Sequence, residues 1–216
     1  MTIFNFVTYI TYLVPAVLSI LILYAGTKTP FTALKFALLG YLTTSLLFYL
    51  LGEYLGRNYQ NNLILIPIFG VIELGWFSFM YRLINANKYY YLISIPAFIC
   101  LIYELSTINF HLPTQVESYT RFIANLSLFL LALRYCFMLL QQDWKNYNPA
   151  FFLLNSTLLL YAAFSCLYYL PLNLLINGRS ENIFLFWFLN IMINLLFYII
   201  NTKVVCSTSG KEKIQL

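Results

Sequence analysis

Charge is what this chain has least of. Only 9% of its 216 residues are Asp, Glu, Lys or Arg, against about 25% in soluble globular domains. The longest break between apolar runs lies near Thr107 to Tyr119, too short to fold as a soluble domain of its own. Histidine is nearly missing. The one present, His111, falls in that polar connection, and there is no HExxH pattern, so zinc-protease chemistry is excluded. No serine within an apolar run has a histidine to activate it, which argues against a Ser–His hydrolase. There is no glycine-rich phosphate loop, and no lysine stands mid-way along the last apolar run, where a retinal Schiff base would need one. The four cysteines, Cys100, Cys136, Cys166 and Cys206, are scattered without metal-ligand spacing. The first three read as small core residues, and Cys206 follows the last apolar run, where lipidation is conceivable. No enzyme activity, no metal and no cofactor is expected.

What is there is hydrophobic. The chain is 62% apolar with a mean hydropathy of +0.78, and the apolar residues fall into seven runs. These are Phe4–Ala25, Phe31–Leu51, Asn62–Leu83, Tyr90–Leu105, Thr120–Leu140, Ala150–Leu170 and Ile183–Ile200. A bilayer core of about 30 Å takes roughly 20 helical residues. Backbone polar groups cannot stay unsatisfied in lipid, so each run is expected to be a helix. The fourth is the shortest and is interrupted by Pro96. The expected fold class is all-α: a polytopic seven-transmembrane-helix bundle over residues 1–203, followed by a short polar tail, 204–216. The first run has no preceding Lys or Arg and no small-residue cleavage pattern after Tyr24, so it reads as a retained span. The lipid bilayer is the obligate partner, and no nucleic-acid partner is expected.

Turn residues mark the breaks, among them Thr29-Pro30, Asn61-Asn62, Asn148-Pro149 and Asn177-Gly178. The cations divide unevenly between the two sides. Lys28, Lys35, Arg82, Lys88, Lys145, Lys203, Lys211 and Lys213 share the side of the C-terminus, and only Arg57, Arg121 and Arg179 lie on the other. The positive-inside rule then puts the N-terminus outside and the C-terminus in the cytoplasm of a cell (inner or plasma) membrane. The second and third runs match the sixth and seventh at an offset near 119 residues. Such a match is expected of a three-plus-one-plus-three parallel repeat, and equally of any two hairpins of bilayer-spanning helices.

The residue that organises the interior is Glu73, near the middle of the third run. An ionisable group at that depth is costly alone and is a functional-site candidate by default. Counting from the start of each run, Arg134 in the fifth and Asn194 in the seventh fall at a similar depth, with Asn190 one turn from Asn194. These residues are expected to form one polar cluster in which Glu73 pairs with Arg134. In the alternative, Arg134 snorkels to the surface and Glu73 is protonated. Hydroxyls and amides elsewhere in the runs read as packing contacts between helices. Trp144 and Tyr89–Tyr91 fit an interfacial aromatic belt. Trp76, deeper in the third run, either packs or stacks on a ligand beside Glu73.

On the paired Asn61-Asn62, Glu73 within the third run, and Asn190 and Asn194 in the last, the chain resembles small seven-helix bacterial membrane proteins without an assigned role. That resemblance implies a fold and little else. The topology is also similar to that of SWEET and PQ-loop transporters. Their Pro-Gln motif is missing, since Gln115 follows Thr114. Two functions are expected to compete. One is a signalling or accessory subunit that acts through a protein partner in the membrane. The other is a small-solute or proton-coupled transporter with its site at the bundle centre.

Overall fold

The structure, a computed structural model, describes residues 3–27, 32–59, 62–85, 88–107, 119–141, 149–177 and 183–208. His111, Gln115, Trp144 and most of the polar tail lie outside these residues. The described chain is all-helical, with seven α-helices: α1 (Ile3–Thr27), α2 (Ala33–Tyr59), α3 (Leu65–Asn85), α4 (Ile95–Thr107), α5 (Tyr119–Gln141), α6 (Pro149–Asn177) and α7 (Ile183–Thr208). Five of them are long and apolar enough to cross a membrane, and the protein is a multi-pass membrane protein on that ground. Below, the upper end is the one carrying the α2–α3 turn.

Six helices close a ring in the order α1, α2, α3, α5, α6, α7, with α7 back against α1, and α4 packs outside it against α3 and α5. The ring's core is an apolar stack that includes Leu18, Leu38, Leu42, Leu74, Leu128, Leu131 and Leu158. Large apolar side chains such as Leu23, Ile99, Leu140 and Leu167 point outward and are exposed. A fold with oily residues on both faces suits a lipid solvent, in which outward Leu and Ile cost nothing.

Local chemistry accounts for the helix ends. Pro96 has no N–H to give and its ring clashes with a preceding helical turn. It therefore sits at the second position of α4, and the seven residues before it, Lys88–Ser94, wind as a 3-10 helix instead. The fourth run is thus a composite and not one α-helix. Three helices outlast their apolar runs: α2 continues to Tyr59, α6 to Asn177 and α7 to Thr208. The upper end of α2 carries Gly52 and Gly56 on the side where α3 begins. Asn62 packs against both, its Nδ2 donating to the Gly52 carbonyl at 3.3 Å. At the lower end of α7, Val204 and Val205 are buried, so the first residues of the expected tail belong to the bundle.

The helices do not start at one height. Arg121, only the third residue of α5, lies beside Gly70, where a Cβ would meet the Arg121 Cα at 3.3 Å. Gly70 is the sixth residue of α3, about 7.5 Å below its start at Leu65, at 1.5 Å per residue. So α5 begins below the head of α3, and its second residue, Thr120, is buried, with an N–H that the helix itself cannot satisfy. Glu104 of α4 supplies the partner. Its buried carboxylate accepts the Thr120 N–H at 2.7 Å, which also places a negative charge at the positive end of the helix.

Candidate functional site

Glu73 sits on α3 facing the ring's interior and is 1% exposed. Its two oxygens are both taken, by residues of three other helices. Tyr41 of α2 and Tyr161 of α6 each donate a hydroxyl to Oε1 at 2.8 Å. Arg121 of α5 brings Nη2 to 2.7 Å from Oε2. The same Nη2 donates to the Tyr161 hydroxyl at 3.1 Å, closing a loop of three side chains. Phe197 of α7 stacks flat on Tyr161, 4.2 Å between centroids, and Phe77 tilts against Tyr41 at 4.8 Å. One carboxylate therefore fastens α2, α3, α5 and α6, with α7 held by stacking.

Arg121 runs against the habit of basic residues near helix ends. An arginine so near the start of a helix ordinarily turns outward to water. Here it turns inward and is 3% exposed. The Phe69 ring stands 4.9 Å and the Tyr169 ring 5.3 Å from its Cζ, so both the charge and the π-faces of the guanidinium are engaged. Gly70 makes the room. A Cβ there would lie 2.9 Å from Arg121 Cδ. Two of the three guanidinium nitrogens, Nε and Nη1, are buried without a hydrogen-bond partner.

Above this pair is a cavity of about 300 Å³ that reaches the upper end of the bundle. Its walls are apolar and aromatic, with Leu18, Phe48, Phe69 and Trp187, and its polar lining includes Ser45, Tyr198 and Arg121, with Glu53 and Asn62. Glu53 is engaged by Arg57 at 3.1 Å. That volume lies at the low end of the range for small-molecule sites, about 300–1,000 Å³.

The expected cluster is only partly assembled. Glu73 is at its centre, but its cation is Arg121 and not Arg134. Arg134 lies thirteen residues further along α5 on the exposed surface, roughly 15 Å below Glu73 once the deep start of α5 is allowed for. Asn190 and Asn194 are half-buried and bond to one another, Asn194 Nδ2 donating to the Asn190 carbonyl and to its Oδ1, at 2.6 and 3.1 Å. It is Phe197 and Tyr198, one turn below, that bring α7 to the centre. Trp76 does not line the cavity. Its indole rests on Gly40 of α2, with Nε1 donating to Thr44 Oγ1 at 3.2 Å and edges against Phe36 and Phe79.

Arg121, Tyr41 and Tyr161 were missed by counting residues from the run starts. Arg121 stands at the head of an apolar run, where a charge reads as a loop residue. The tyrosines are two of nineteen and are distinguished only by lying mid-run.

The lower half holds a second polar layer without charge. Tyr81 of α3 donates to Asn155 Oδ1 of α6, and Asn155 Nδ2 donates to the Ala132 carbonyl of α5 at 3.0 Å. Thr157 and Asn201 join α6 to α7 through Oγ1 and Oδ1 at 3.1 Å. The space beside Tyr81 and Asn155 amounts to about 10 Å³, room for no more than about one water. Among the described residues no group of His, Cys, Asp and Glu could hold a metal ion. Comparison with protein-family models, curated proteins and solved structures finds no match.

Proposed function

We propose that this protein is an integral membrane signalling or accessory subunit that works through a protein partner, oriented with its N-terminus outside and its C-terminus in the cytoplasm. The observation that carries the reading is the occupancy of Glu73. A carboxylate held by two hydroxyls and a guanidinium, and 1% exposed, is a poor proton carrier. Releasing it breaks contacts to three helices together. What such a group does well is fix the relative positions of helices. A bundle pinned at one point in its upper half has few stable arrangements, and a partner lying against its lipid-facing surface would sense a change from one to another.

The competing reading is a small-solute transporter, and the cavity above Arg121 is the observation in its favour. A gentle-detergent purification from native membranes, with mass spectrometry of what co-purifies, separates the two. The subunit reading expects a partner in fixed stoichiometry with the wild-type chain. A protein that purifies alone and moves solute in reconstituted vesicles would overturn it in favour of transport.

A further inference from the structure

The Glu73–Arg121 pair leaves something over. Nη2 serves Glu73 and Tyr161, while Nε and Nη1 have no hydrogen-bond partner. Buried guanidinium donors are seldom left so, because each unmet N–H forfeits its hydration. The rings of Phe69 and Tyr169 cover the faces of the group but cannot accept its in-plane N–H bonds. Arg121, Phe69 and Tyr169 all line the cavity. The two unpartnered nitrogens are thus buried on a side chain that lines the cavity beside Phe69 and Tyr169.

We infer that the cavity binds a small carboxylate with a compact apolar or aromatic body, its charge taken by Arg121 Nε and Nη1 once the side chains that bury them at the cavity floor move aside. The sign follows from the donors: the charged lining beyond Arg121 is Glu53, already paired with Arg57 near the upper end. The single negative charge follows from Glu73. Arg121 and Glu73 together are neutral, so a carboxylate leaves one net negative charge in a low-dielectric site and a phosphate dianion leaves two, which is why a single charge is the most the site takes. The body follows from the walls, where Leu18, Phe48 and Trp187 offer apolar and aromatic surface and little hydrogen bonding.

The test uses the purified full chain in nanodiscs, so it does not depend on whether a partner exists. Benzoate, benzamide and benzylamine are compared by ligand-observed saturation-transfer NMR. Benzoate is expected to bind, at least about tenfold tighter than benzamide, because a charged acceptor gains most from a buried guanidinium. Benzylamine is expected not to bind. Two variants fix the place. At Gly52 a Cβ would meet nothing closer than Leu65 Cδ1 at 3.8 Å, so Gly52→Leu projects into the cavity without touching the ion pair, and it should abolish the benzoate signal. The double variant Glu73→Gln with Arg121→Gln removes both buried charges together and should bind benzoate and benzamide equally. Equal binding of the two by the wild-type chain, benzoate binding that survives Gly52→Leu, or no binding of any probe at about 10 mM would each overturn the inference.

Discussion

The two halves of this bundle solve one problem in different ways. Both must join helices in lipid, where apolar packing alone gives little specificity. The lower half joins its helices through neutral pairs, Tyr81 with Asn155 and Thr157 with Asn201, leaves almost no space beside Tyr81 and Asn155, and buries Lys35 at the foot of α2. The upper half uses a full ion pair, Glu73 with Arg121, and keeps a cavity next to it. Neutral bonds suffice where the only task is to hold helices together. A buried charge pair is a costly way to do that alone, since apolar side chains of similar volume often serve as well or better. The upper half is where a buried ion pair and a cavity lie side by side.

Mutations can break this contrast. The largest effect is expected at the pair. Glu73→Ala leaves Arg121 buried without its partner and should cost about 3–5 kcal/mol, read as lost thermal stability in detergent. Glu73→Gln should cost less, because the amide still accepts from Tyr41 and Tyr161. Equal losses would show that the site is not a satisfied polar cluster. Next comes the close contact that admits Arg121. Gly70→Ala forces a Cβ to 2.9 Å from Arg121 Cδ, and overpacking of this kind costs about 1–3 kcal/mol. It should also change the fluorescence of nearby Trp187 if the arginine is displaced into the cavity. A similar loss is expected at the head of α5. Glu104→Ala removes the carboxylate that caps Thr120 and should cost about 1–2 kcal/mol, with faster amide exchange confined to the first turn of α5. The smallest effect belongs to the lower half. Tyr81→Phe should cost about 0.6 kcal/mol, the average for a hydrogen bond between membrane helices, and should leave the upper half unchanged. A loss there as large as at Glu73 would erase the distinction between the two halves.

Much of the architecture was legible in the sequence. Apolar runs of bilayer length state their own number and approximate bounds, and Pro96 announces the broken fourth helix. Glu73 stands out because no other acidic residue lies so far from an end of its run. What could not be read was relative height. Counting from run starts assumes that every helix enters at one level, and α5 does not. Its first turn starts below the head of α3, with the buried Thr120 N–H met by Glu104 of a different helix. That offset moves Arg121 down to Glu73 and carries Arg134 past it to the exposed lower surface. It is a tertiary fact, carried by Gly70 and Glu104 together, and neither residue reveals it alone. The overruns of α2, α6 and α7 were hidden for a different reason. In α2 and α7 the helix continues past the point where hydropathy falls, whereas the extension of α6, 171–177, is largely apolar and opens with Pro171, which reads as a stop.

The central claim is that Glu73 is fastened by Arg121. A double-mutant cycle measures it most directly, with unfolding of Glu73→Gln, Arg121→Gln and the double variant compared in nanodiscs, and the same cycle repeated with Arg134→Gln. The account predicts a coupling of at least about 1.5 kcal/mol between Glu73 and Arg121, near the upper end of the range for polar contacts between membrane helices. Between Glu73 and Arg134, roughly 15 Å apart along the bundle axis, additivity within about 0.5 kcal/mol is expected. Strong coupling to Arg134 with none to Arg121 would contradict it.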